Sequence, residues 1–190
     1  MGTPCTIWSI ARRGIKNLEK AREKERVGVL LALFSCEVIQ MCIRIGIFWV
    51  LENPQTSKLF QFAPVVEIMQ HASTLDIVLH MCAYAALWKK PTRLITNAPC
   101  LLRLAKFCNK KHVHVVLSGG ARCLVKGKPQ WARLTALAGA YPDKLCASWA
   151  AALRNVAPPR AIGGAATESL DLRRRLEDAA GRGPAVPSGA

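Results

Sequence analysis

The chain has 190 residues, of which 51% are hydrophobic, and its 27 Lys and Arg residues outnumber its 12 Asp and Glu residues. This length and apolar content suffice for one domain with a packed core, and they exclude a wholly disordered chain. The formal net charge of +15 favours a nucleic acid or another anionic surface as partner. The alternative interpretation is that the net positive charge belongs to a basic tail and to the solvated surface of a soluble protein.

Cysteine usage indicates the cellular compartment. The eight cysteines are scattered along the chain, several lie in apolar runs, and no secretory signal precedes them. That pattern is typical of reduced thiols rather than a disulfide framework. We therefore expect an intracellular protein, located in the nucleus if the organism is a eukaryote.

The first predicted feature is a compact loop at the start of the chain, Gly2–Ser9, in which Cys5 follows Pro4. A helix follows: the charged segment Ala11–Arg26 continues into the apolar segment Val27–Ile45. Three polar residues interrupt that apolar segment on one helical face, namely Glu37, Gln40 and Arg44. Because a membrane span needs about 20 apolar residues with few charges, we predict a half-buried helix and no membrane partner.

The next predicted element is a buried strand over the continuous apolar run Ile47–Leu51. Pro54 ends this strand, and Glu52 is predicted to lie at its carboxyl end. A loop, a helix and a strand in this order predict an α/β fold with a doubly wound parallel sheet. In such a sheet both loops emerge at the same edge. The thiol of Cys5 and the carboxylate of Glu52 would then meet in one crevice.

The rest of residues 1–156 is predicted to complete the same domain. The predicted elements are helical pieces Ser57–Phe62 and Pro64–Gln70, strands Leu75–Met81 and Leu94–Thr96, helix Cys100–Phe107, loop Ser118–Gln130, helical turn Trp131–Leu137 and helix Leu145–Val156. Residues 157–190 are rich in Ala, Gly, Pro and Arg. We expect them to form a mostly disordered tail, with a short helix from Thr167 or Ser169 to Ala180.

Two motifs resemble those of the DNA cytosine-5 methyltransferases. Pro4-Cys5-Thr6-Ile7-Trp8-Ser9 is similar to their Pro-Cys-x-x-Phe-Ser loop, and Glu52-Asn53-Pro54 is similar to their Glu-Asn-Val motif. The resemblance implies a Rossmann-like methyltransferase fold that transfers a methyl group from S-adenosylmethionine to cytosine in DNA. It implies that Cys5 is the nucleophile, that Glu52 acts at ring nitrogen 3, and that Asn53 holds its loop.

The resemblance also implies DNA contacts. The basic segment Trp88–Arg93 loosely resembles the family's Gln-x-Arg-x-Arg segment, so Lys90 and Arg93 are expected to contact DNA. Arg12 and Arg13 follow the nucleophile loop closely, and they are expected to contact phosphates.

The cofactor half of the family's domain is expected to be missing. In the resembled family, the glycine-rich turn and the ribose-binding acid lie upstream of the nucleophile loop, and here Met1 directly precedes that loop. We therefore expect a chain truncated at its start, covered by the resemblance over residues 1–156 and inactive as it stands. We also expect it to be poorly soluble alone, because the missing strands would leave an exposed sheet edge.

Two other functions stay open, as does the oligomeric state. One is a catalytically dead, nucleic-acid-binding remnant of a mobile element. The other is a small interaction domain stabilised by zinc, because Cys108, His112 and His114 lie within seven residues and either Cys82 or Cys100 could be a fourth ligand. Lys110 and Lys111 lie between these residues. Their positive charges favour the alternative that this turn faces phosphate groups and binds no metal.

Overall fold

The computed structural model describes residues 7–9, 18–125, 127–154 and 156. The helices and strands are α1 (Leu18–Arg44), β1 (Val50–Pro54), α2 (Ala63–Gln70), β2 (Leu75–His80), β3 (Pro91–Thr96), β4 (Gly120–Val125), β5 (Lys128–Arg133), α3 (Leu134–Leu137) and α4 (Asp143–Leu153), with 3₁₀ helices at Lys58–Gln61, Met81–Tyr84 and Pro99–Leu104. The predictions for Cys5, Arg12, Arg13 and the tail 157–190 fall outside the described residues.

The predicted long helix is confirmed as α1, which packs one face on the sheet. Its residues Ala32, Cys36 and Ile39 are buried at the spacing of three and four that marks one helical face. Other apolar side chains of α1 point outward, among them Phe34 and Met41. Ala21–Arg44 is long and apolar enough to cross a membrane, with 33% of its most apolar window buried. Core helices of soluble proteins meet the same criterion, so the absence of a membrane partner stays a prediction.

The main sheet has three strands in the order β1-β3-β2. The α/β class is confirmed, but the predicted parallel pairing is wrong for the described residues, because β3 runs antiparallel to both neighbours. The connection between β2 and β3 explains the difference. It contains only residues 81–90, whereas parallel neighbours need a crossover of a dozen or more residues, usually with a helix.

Helices cover both faces of this sheet. Leu51 and Ile95 pack in one core with Ile39 of α1 and Val65 of α2. Alternate residues along the strands face the other way. On that second face Ile77, Leu79 and Leu94 pack with Leu101 of the third 3₁₀ helix and Leu145 of α4. The strands are therefore the middle layer of a three-layer domain.

Buried polar side chains fix the start of β1. The side chain of Asn97 accepts a hydrogen bond from Trp49 N (2.9 Å) and donates one to Ile47 O (3.1 Å). The Thr96 hydroxyl donates to Trp49 O (2.5 Å). Because these side chains satisfy the backbone of residues 47–49, regular strand pairing begins only at Val50, three residues later than predicted.

In the later part of the chain one prediction is wrong, and two helices are present with different bounds. The predicted loop Ser118–Gln130 is largely the β4–β5 hairpin, in which Val125 pairs with Lys128 and Gly127 takes a φ of 74° in the turn. The glycines and the proline of this segment belong to the hairpin and not to a long loop. The predicted helix Cys100–Phe107 is a 3₁₀ helix that ends at Leu104. Trp131, predicted to start a helical turn, lies in β5, and α3 begins at Leu134.

The third 3₁₀ helix offers a matched test of the core. Leu101 is fully buried, whereas its neighbour Leu102 is 51% exposed. We predict that Leu101→Ala lowers the free energy of unfolding by about 2–5 kcal/mol because it leaves a cavity. Leu102→Ala should change it by less than about 0.5 kcal/mol. Urea denaturation of both variants checks this, and equal losses would contradict the assigned core.

Candidate functional site

Two groups of side chains are candidates for a functional site, one around Glu52 and one just after β2. Both β1 and β2 pair antiparallel with β3, so they run in the same direction and their carboxyl ends share one edge of the sheet. The loop after β2, residues 81–90, begins at this edge. The prediction that Glu52 lies at the end of its strand is wrong, because Glu52 is the third of the five residues of β1 and pairs with Leu94 inside the sheet.

Glu52 projects from the face of the sheet that α4 covers, since it pairs with Leu94 of that core. Its Oε1 is buried and has no hydrogen-bond partner among the residues that the structure describes. Burial raises the pKa of the Tyr141 phenol, and the negative charge of Glu52 raises it further. The Tyr141 phenol therefore lies close to the Glu52 carboxylate.

An aromatic cavity of about 450 Å³ adjoins Tyr141. It is lined by Tyr84, Ala85, Ala86, Leu87, Trp88, Leu137, Ala140, Tyr141, Pro142, Asp143 and Lys144. Within the described part of the chain, the indole Nε1 of Trp88 is a buried donor with no acceptor. Three aromatic rings and an unused donor suit a flat, polar ligand, and the volume lies within the usual range for small-molecule sites.

Asn53 lies on the opposite face of β1 from Glu52, since successive residues alternate. It is buried, and its Nδ2 donates to the Glu52 carbonyl oxygen at 2.9 Å. Asn53 thus fixes the backbone that carries Glu52 and does not share the space of its carboxylate.

The two basic residues predicted to contact DNA are both engaged within the protein. Arg93 forms a two-pronged ion pair with Asp76 and lies 4.7 Å above the Phe60 ring. It pairs with Asn53 across the sheet, and therefore lies on the face opposite Glu52. Lys90 Nζ donates to Ala138 O at 3.0 Å.

The described end of the loop Gly2–Ser9, residues 7–9, packs beside α1 and the chain that follows β1. Trp8 O accepts a hydrogen bond from Lys58 N at 2.9 Å, and the Trp8 ring lies 5.2 Å from the Phe62 ring. Ile7 sits directly over Gly28 of α1, where an added Cβ would lie 2.5 Å from Ile7 Cδ1. The loop and the chain after β1 are therefore neighbours, although Cys5 itself lies outside the described residues.

The second group is a cluster of cysteine and histidine side chains. The ligand atoms of Cys82, Cys108, His112 and His114 all lie within 4.8 Å of one another. Cys108 Sγ is 3.4 Å from His114 Nε2 and 3.8 Å from His112 Nε2. The structure thus brings together the three residues that the sequence analysis singled out. It selects Cys82, and not Cys100, as the fourth member.

Comparisons with protein-family models, with curated proteins and with solved structures give no match for this chain. The roles of its residues are therefore argued from geometry and chemistry.

Sequence reasoning did not identify the three aromatic residues of the cavity, Tyr84, Trp88 and Tyr141. Tyr141 precedes α4, and it reaches Glu52 only because α4 packs on the second face of the sheet. The sequence places these aromatic residues beside turns, where binding sites often lie. Nothing in the sequence indicates that they line the same cavity.

We predict that Arg93 mainly stabilises the fold. Asp76 and Arg93 are 47% and 22% exposed, so their coupling energy in a double-mutant cycle of Asp76→Asn and Arg93→Met should be about 0.5–1 kcal/mol. Urea denaturation of the four proteins measures it, and high salt should reduce it. A coupling near zero would show that Arg93 is available for DNA.

Proposed function

We propose that this chain is the base-binding part of a DNA cytosine-5 methyltransferase-like domain, in which Glu52 contacts a cytosine held in the aromatic cavity. The observation that carries the proposal is the Glu52 carboxylate, whose buried Oε1 has no partner among the described residues. Glu52 lies beside Tyr141, which lines the aromatic cavity.

The chemistry of cytosine suits this arrangement. A carboxylate oxygen accepts a hydrogen bond from the amino group at position 4 of cytosine. When protonated, a carboxyl group donates to ring nitrogen 3, which draws electrons from the ring and favours attack at carbon 6 by a thiolate. Glu52 would perform both tasks, and Cys5 remains the predicted thiolate.

The cavity would hold the rest of the base. Enzymes that act on a base extrude it from the duplex and stack it between aromatic or apolar side chains. Tyr84, Trp88 and Tyr141 supply such surfaces. Tyr141 also lies beside Glu52 and would therefore bring the base close to the carboxylate.

Positive charge near the cavity supports a nucleic-acid partner. The exposed Lys106 lies 5.1 Å from the centre of the Tyr84 ring, and the exposed Lys144 lines the cavity. Phosphate contacts by such lysines position a duplex and supply most of its non-specific affinity.

The described residues do not fit S-adenosylmethionine. Adenosine cofactors bind in doubly wound folds where a strand turns through glycines into a helix. Among residues 7–9, 18–125, 127–154 and 156, no strand leads through a glycine-rich turn into a helix. We therefore assign no cofactor site and derive no methyl-transfer step.

Binding of DNA with one mismatched base tests the proposal. Extruding a mismatched base from a duplex costs less free energy than extruding a paired one. We predict that the protein binds a duplex with a mismatched cytosine about 10-fold more tightly than one with a mismatched thymine. Glu52→Ala should abolish this preference, because thymine offers no amino group in that position. Fluorescence anisotropy with labelled duplexes gives both affinities.

Glu25→Ala is the matched control, because Glu25 is exposed on α1 and its loss changes the net charge by the same amount. Both variants should show the same salt dependence, and only Glu52→Ala should lose the preference for cytosine. If both retain it, or if the wild-type protein shows none, Glu52 does not read the base. The protein would then be a general nucleic-acid binder.

A further inference from the structure

We propose that Cys82, Cys108, His112 and His114 bind one Zn²⁺ ion in a closed, four-coordinate structural site. The ion would fasten residues 105–119 to the end of β2. This inference is independent of the base-binding proposal, because none of the four residues lines the aromatic cavity.

The spacing of the ligand atoms fits a tetrahedral ion. Zinc bonds of about 2.0–2.3 Å separate the ligand atoms of a tetrahedral site by roughly 3.3–3.8 Å. The Cys108 Sγ distances of 3.4 Å and 3.8 Å to the two histidine Nε2 atoms lie in this range. All four ligand atoms lie within 4.8 Å of one another, so small side-chain adjustments complete the site.

The donor set selects the ion and its role. Two thiolates and two imidazoles suit zinc and exclude the hard cations Mg²⁺ and Ca²⁺, which take oxygen ligands. Four protein ligands leave no open position for substrate or water, and this is the mark of a structural site. On binding, the two thiols release their protons to solvent as the zinc–sulfur bonds form.

The backbone around Cys108 brings the ligands together. The Lys110 N–H donates to Cys108 Sγ at 3.3 Å, and such a hydrogen bond orients a sulfur ligand. Lys110 adopts a left-handed φ of 60°, and this tight turn lets His112 return to the same sulfur.

The segment that the ion would fasten lacks other anchors of comparable strength. Residues 105–119 form no helix or strand, and Val113 and Val116 are 96% and 74% exposed. Among the described residues, few backbone groups of this segment bond to more distant parts of the chain. These hydrogen bonds are His80 N to Lys106 O at 2.9 Å, Cys108 N to His80 Nδ1 at 3.0 Å, Val115 N to Leu87 O at 2.8 Å and Leu134 N to Gly119 O at 3.2 Å. Irregular segments of this length are uncommon in compact domains unless something holds them.

Cys82 provides the connection to the fold. It is buried in the 3₁₀ helix Met81–Tyr84, which directly follows β2. The other three ligands come from the irregular segment itself. An ion bound by all four would therefore join that segment to the end of β2, across residues that are distant in sequence.

Metal content is the first test. The full chain is purified with a thiol reductant, loaded with zinc and exchanged into metal-free buffer. It should then retain about one zinc ion per chain, as measured by mass spectrometry of the metal. Cys108→Ala should retain less than about 0.1 equivalent. Cys100→Ala is the matched control, since Cys100 lies outside the cluster, and it should retain zinc like the wild-type protein.

Two measurements on the wild-type chain guard against a variant that fails to fold. Co²⁺ added to the metal-free protein should give the visible absorption of a tetrahedral site with thiolate ligands, and zinc should displace it. A chelator should lower the melting temperature, and added zinc but not magnesium should restore it. The proposal is overturned if the reduced wild-type chain retains no zinc, if Cys100→Ala loses it equally, or if a Cys82–Cys108 disulfide forms in its place.

Discussion

The central position of β3 is the constraint on which the rest of the structure depends. β3 pairs antiparallel with β1 along one side and with β2 along the other. Both outer strands must therefore run in the same direction and end at the same edge. Because β3 is buried on both faces, its register also fixes which residues of the outer strands face each helical layer. Leu94 and Ile95, adjacent in sequence, belong to the two separate cores for this reason.

The edge at which β2 ends is the start of a connection that serves two chemically different groups. Cys82 lies just after β2, whereas Glu52 lies in the middle of β1. The connection between β2 and β3 serves both, since its first residues supply a metal ligand and its later residues line the aromatic cavity. Two non-glycine residues of this connection, Ala85 and Lys90, have positive φ angles. Such backbone strain is typical of functional segments.

The sequence predicted those features that depend on local pattern. The apolar period and charge distribution located α1, the apolar run located β1, and the spacing from Cys108 to His114 identified three members of the cluster. Features that depend on tertiary packing were out of reach. The direction of β3, the choice of Cys82 over Cys100, and the approach of Tyr141 to Glu52 all depend on how layers stack. The β4–β5 hairpin was missed because its glycines and proline also fit a loop.

The pairing of β3 on both sides also sets an order in which parts of the domain open. Backbone amides of residues 92–96 lie between two strands and under two helical layers, so their hydrogens should exchange with solvent only when the whole domain unfolds. The β4–β5 hairpin pairs only with itself among the described strands, and most of β5 is exposed. Its amides should exchange through local opening, long before those of β3. Amide hydrogen exchange should therefore be slow in the central strand β3 and fast in the β4–β5 hairpin.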